Sequence, residues 1–147
     1  MQKDVVISVK GIQKYENVKS DTVELVTTGT LQEENGIYVL TYEESEITGL
    51  EGTQTVITVE GEQVTLVRSG QYNSQMVFQE GRRHLSMYNT PYGELAIGVN
   101  TRFLLADLNE NGGDIEADYT IELEHSMVGR NVFNINIKEA EGGSLKQ

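Results

Sequence analysis

The chain has 147 residues, with 11 Lys and Arg against 23 Asp and Glu, 15 Gly, one Pro and no Cys, and a formal charge of −12. A charge that negative disfavours nucleic acid and anionic membrane as partners, because both present phosphate. The missing cysteine excludes a disulfide framework, a thiolate nucleophile and any cysteine-ligated zinc or iron–sulfur centre, while the length suits one domain with its own core.

The first element alternates Val5, Ile7 and Val9 with polar neighbours, the period of a half-buried strand. Lys3, Asp4, Ser8 and Lys10 break any apolar run of signal-peptide length, and no stretch reaches the roughly 18–20 apolar residues of a membrane helix. A soluble, cytoplasmic protein is the expectation. Val23, Leu25 and Thr27 repeat the alternation. Ile37 to Tyr42 (IYVLTY), Thr53 to Val59 (TQTVITV) and Val64 to Val67 (VTLV) are apolar on both faces, and their β-branched and aromatic content favours strand. Glu60-Gly61-Glu62 between the last two reads as a hairpin turn, as does Asn35-Gly36. Leu95, Ile97 and Val99 alternate again. Thr101 to Leu108 (TRFLLADL) is ambiguous, but its short apolar run between strands assigns it to strand. Ile115, Ala117, Tyr119, Ile121 and Leu123 then alternate with Glu116, Asp118, Thr120, Glu122 and Glu124, the clearest pattern in the chain. Phe133, Ile135 and Ile137 close the series.

Short strands joined by hairpins, with no convincing long helix, predict an all-β fold. Consecutive strands favour a single antiparallel up-and-down barrel of about eight to ten strands, since closure removes exposed sheet edges. Residues 1–140 form that domain, and 141–147 are expected to be a flexible tail.

Several motifs recur in a fixed order. Tyr42-Glu43-Glu44 ends one predicted strand and Arg68-Ser69-Gly70 ends another. Met76-Val77-Phe78 follows with Gly81, then Tyr88-Asn89-Thr90-Pro91-Tyr92-Gly93, then Gly113-Asp114-Ile115 leading to Tyr119. In these the chain resembles the YwiB-like family of small bacterial proteins, a domain of unknown function with a calycin-type, lipocalin-like barrel. The resemblance spans about residues 3–139, and Thr90 to Gly93 is its most specific piece. It implies a bacterial cytosolic barrel and supplies no catalytic residues. Calycin barrels commonly hold a small apolar ligand, an expectation from fold alone.

The candidate site rests on scarce cations. Arg68 follows Val64 and Leu66 at period two, so it is expected to face inward, and Arg102 is expected to extend the series from Asn100. An inward guanidinium needs an acidic partner or an anionic ligand. Tyr42, Tyr88, Tyr92 and Tyr119 offer phenolic hydroxyls on apolar bodies, as small-molecule sites often do. Two readings stay open: a cavity binding a small anionic or amphipathic molecule, or a filled barrel closed by an internal Arg–carboxylate pair and acting as a structural or protein-interaction module, its acidic outer surface meeting a basic partner. A homodimer is left open.

Other constellations are weaker. Asp107, Asn109 and Asn111 match the start of a calcium loop, but the stretch reads better as a polar hairpin. Thr90-Pro91-Tyr92-Gly93 is a turn signal. His84 and His125 are the only histidines, without zinc-site spacing, and His84 is the one candidate base. No nucleophile elbow, phosphate loop or dinucleotide fingerprint is present. No cofactor is implied, and a binding barrel is preferred to an enzyme.

Overall fold

The computed structural model describes residues 2–14, 21–44, 51–70, 73–90, 93–123 and 126–140. Every regular element among them is a strand: β1 (Gln2–Lys14), β2 (Asp21–Glu34), β3 (Ile37–Glu43), β4 (Thr53–Glu60), β5 (Gln63–Gly70), β6 (Ser74–Gln79), β7 (Arg83–Thr90), β8 (Gly93–Asn109), β9 (Gly112–Leu123) and β10 (Ser126–Glu139). Each strand pairs antiparallel with its sequence neighbours, and β1 pairs with β10 from Val5–Glu139 to Lys14–Arg130, closing the barrel. The expected up-and-down meander is therefore what forms. The predicted tail at 141–147, with Pro91, Tyr92 and His125, lies outside the described residues.

The turns form where the sequence supplies the backbone they need. Asn35 and Gly36 both have positive φ, 55° and 84°, the type I′ geometry that matches the twist of paired strands. The Glu33 carboxylate accepts the Gly36 N–H at 2.8 Å and holds that hairpin. Glu60 pairs with Gln63 across the Gly61-Glu62 turn. Asn109 pairs with Gly112 across Glu110-Asn111, so the calcium-like stretch is a two-residue hairpin.

Alternation then fills the interior. On β9, Ile115 and Ala117 are fully buried and Tyr119 nearly so, as expected. Ile7, Leu31, Leu40, Ile57, Phe78 and Ile137 pack one half of the barrel solid. Phe78, Tyr119 and Phe133 meet edge to face with ring centroids 4.8, 5.3 and 6.1 Å apart, an arrangement suited to the ring quadrupole. Gly29 is a forced position. A Cβ there would lie 2.3 Å from the Thr41 carbonyl oxygen and 2.8 Å from Ile7 Cδ1, with Tyr42 on the opposing strand. Val23 and Leu95 sit near strand ends and are 40% and 44% exposed, although Val23 keeps the inward parity of Leu25 and lines the barrel interior with it.

β8 explains its own ambiguity. Ile97, Val99 and Thr101 face inward, and then the register slips between Thr101 and Phe103. The bulge resets the phase, so Leu104, Ala106 and Leu108 pack on the core while Phe103 and Leu105 are exposed. Arg102 is exposed at the bulge. The expectation that it points inward is corrected, because the inward parity belongs to Thr101.

The outer wall manages its charge by cross-strand pairing. Asp118 takes Arg130 in a two-point contact, Nε–Oδ1 3.0 Å and Nη2–Oδ2 2.7 Å. The Asn134 amide donates to Glu116 at 3.2 Å, and Asn136 to Asp114 at 2.9 Å. Both asparagines lie directly opposite their carboxylates in the ladder.

Candidate functional site

One half of the barrel is packed and the other is hollow. The hollow half holds a cavity of about 340 Å³ that is open to solvent, within the roughly 300–1,000 Å³ of small-molecule sites. Its lining comes from eight of the strands: β1, β2, β3, β5, β6, β8, β9 and β10. Grooves of similar volume on the outside involve only adjacent strands or hairpin tips. The walls are apolar, with Leu25, Leu66, Met76, Ile97 and Ile135 among them, and Tyr119 and Phe133 also line the cavity. Gln13 and Asn131 add carboxamides. Among the described residues that line it, Arg68 is the only charged one.

Strand parity delivers that arginine. Val64 and Leu66 are buried on β5, and Arg68 is next on the same face. Register sets its neighbours: Tyr42 lies opposite Thr55, and Thr55 opposite Arg68, in one row across β3, β4 and β5. Glu44 is two residues beyond Tyr42 and is nearly inaccessible, its side chain 2% exposed. Its carboxylate takes a short hydrogen bond from the Thr55 hydroxyl and lies 3.6 Å from Arg68 Nε. Arg68 Nε is buried and makes no hydrogen bond, so its contact with Glu44 is an ion pair at a distance. Glu44 does not line the cavity and Arg68 does, so the carboxylate stands behind the guanidinium.

The same cluster shifts Tyr42. Burial first, then the Glu44 charge and hydrogen bond, push its hydroxyl well above the usual phenol range, against the opposing pull of Arg68. Tyr42 is therefore a neutral donor at any physiological pH.

The predicted site residues divide cleanly. Arg68, Tyr42 and Tyr119 come together around the cavity. Arg102 does not, being exposed on β8. Tyr88 belongs to the same cross-strand row as Arg68 through Ser74, but its side chain is outside the described set, and Tyr92 wholly so. Asp107, Asn109 and Asn111 do not converge on a cation position. Asn109 Oδ1 accepts the Asn111 N–H at 2.8 Å, and Asn111 Oδ1 accepts Lys3 Nζ at 3.1 Å. His84 Nε2 is 3.1 Å from Gln79 Oε1 and is not among the cavity-lining residues. Sequence reasoning missed Glu44 and Thr55 as partners of Arg68. The period-two spacing of Tyr42 and Glu44 was the available signal. The register linking them to Arg68 was not.

The two structural readings of Arg68 thus coexist: it is paired to an internal carboxylate and it lines a cavity. Fold and site define a closed ten-stranded antiparallel barrel with a cavity in one half, whose apolar lining carries one cation among the described residues. The chain belongs to the family described as Domain of unknown function (DUF1934), whose model matches residues 7–135. It is 28% identical over 104 residues, 70% of this chain and 71% of the relative, to the Uncharacterized beta-barrel protein YwiB of Bacillus subtilis (strain 168). The crystal structure of ywiB protein from Bacillus subtilis superposes with a TM-score of 0.83 at 22% sequence identity, covering 95% of this chain and 93% of that one.

Proposed function

We propose that the protein binds a small amphipathic molecule with an acidic end, without transforming it. The observation that carries this reading is the cavity of about 340 Å³ whose one charged lining residue, among those described, is Arg68. The apolar wall suits a hydrocarbon or ring body, and the guanidinium suits a carboxylate or similar anion. Glu44 holds the arginine from behind, so the fork is oriented before the ligand arrives, which lowers the ordering cost of binding. Tyr42 and Tyr119 add polar atoms on apolar bodies to the lining, from β3 and β9 on different sides of the barrel.

Isothermal titration calorimetry with decanoate and 1-decanol tests the reading. Charge-assisted hydrogen bonds contribute about 1.5–3 kcal/mol, so decanoate should bind at least about tenfold more tightly than the alcohol. Arg68→Met alone would leave the Glu44 carboxylate buried without its cation. The informative variant is therefore Arg68→Met with Glu44→Gln, which keeps the cluster neutral. It should bind both compounds alike. Equal affinity for decanoate in this variant and the unmodified protein, or no uptake of either compound, defeats the proposal.

A further inference from the structure

The barrel wall closes unevenly along β8. On the open side of the bulge, β8 pairs with β7 from Thr90–Gly93 to Arg83–Asn100. Thr101 still bonds the β6–β7 hairpin, accepting the Gly81 N–H at 2.9 Å and donating to the Arg82 carbonyl at 3.1 Å. Past the bulge, Phe103 to Asn109 pair with β9. One contact reaches their other side: the Leu104 N–H donates to the Glu80 carboxylate at 3.0 Å. That bond shows which way the backbone faces. Alternate residues of a strand share an edge, so Ala106 and Leu108 direct their N–H and C=O groups to the same side as Leu104. Among the described residues no strand pairs with that side.

A groove of about 260 Å³ runs beside this edge, between Leu104–Ala106 and the β4–β5 hairpin at Gly61 and Glu62. Phe103 and Leu105 stand on the adjacent outer face, 44% and 41% exposed. Glu62 and Glu80 are exposed and line the groove, Asp107 is exposed next to Ala106 on the strand, and the exposed Arg82 and Arg102 lie beside the bulge. Charged side chains, Pro and bulges usually blunt a free edge; beyond the bulge the charges of this edge are acidic and stand beside the exposed Phe103 and Leu105.

We propose that the Leu104–Leu108 edge of β8 docks an extended protein segment bearing Lys or Arg at alternate positions, which adds as a further strand. Main-chain hydrogen bonds to Ala106 and Leu108 would supply affinity, and Phe103, Leu105 and the acidic rim would supply selectivity. Charge complementarity decides the occupant. A second copy paired edge to edge would set Asp107, Glu62 and Glu80 against their own counterparts, in a chain already at −12.

The test uses a fluorescein-labelled seven-residue peptide alternating lysine and valine, with a glutamate–valine peptide as control. Fluorescence anisotropy should detect the lysine peptide, with at least tenfold weaker binding of the control. Ala106→Pro removes only the outward N–H, which edge strands tolerate, and should weaken binding at least tenfold with an unchanged melting temperature. Asp107→Lys with Glu62→Lys should do the same. Hydrogen exchange of the unmodified protein gives a second readout: the Ala106 and Leu108 amides should exchange faster than that of Leu105 and become protected with peptide. Slow exchange at both amides in the free protein overturns the proposal. So does equal binding of both peptides, absence of binding by either, or protection that rises with protein concentration alone, which would mark a second copy as occupant.

Discussion

At the scale of single residues, the buried row Tyr42–Thr55–Arg68, backed by Glu44, is the chemical centre of the molecule. Its titration has a definite sign. Tyr42 has a folded-state pKa above the ordinary phenol value of about 10. The folded state therefore keeps a proton that the unfolded chain loses. The neutral hydroxyl contributes stability fully below pH ~10, and this is lost as pH rises toward the folded-state value. Thermal melts between pH 9 and 11.5 should show a downward slope in melting temperature that Tyr42→Phe reduces. An identical slope in Tyr42→Phe would place the alkaline sensitivity elsewhere. Arg130 marks the contrast: its guanidinium is also held above its ordinary value, first by the Asp118 hydrogen bond and then by its charge, but on the outer wall.

At the scale of elements, the strands were legible because the side-chain period is two and the interior is apolar. Ile115 to Tyr119 could not be read otherwise. Arg68 was legible for the same reason, through Val64 and Leu66. What parity cannot carry is a phase change. The bulge between Thr101 and Phe103 inserts one residue into β8, so Leu104 and Ala106, not Phe103 and Leu105, continue the inward face. Arg102 was misplaced by parity itself, because Asn100 alternates with the inward Val99 and Thr101. Nor can one strand reveal its neighbour's register, which is why Glu44 and Thr55 were not recognised beside Arg68. Gly29 illustrates the same limit. It lies within an otherwise ordinary strand, yet Ile7 and the Thr41 carbonyl occupy the space of a Cβ. Gly29→Ala should cost about 3 kcal/mol, the upper end of typical overpacking penalties, measured by urea unfolding. A change below about 0.5 kcal/mol would mean that the wall yields there without strain.

At the scale of the whole molecule, the division between a packed half and a hollow half gives the barrel its meaning. Phe78 is fully buried in the packed half and touches Tyr119 and Phe133, which line the cavity, so it backs those two rings from below. The net charge of −12 is distributed over an outer wall where asparagine and arginine answer the carboxylates of β9. That leaves Arg68 alone in charge among the described cavity residues, and the acids of the β8 rim as the face proposed for a basic partner. A binding function stands or falls with the cavity. The most direct measurement is a two-dimensional NMR titration of the labelled protein with decanoate. Saturable shifts should appear at the Arg68 Nε–H and the Leu25, Ile97 and Ile135 methyls, with the outer-wall amides of β9 unmoved. No shift at millimolar decanoate, or shifts confined to the outer wall, would contradict it.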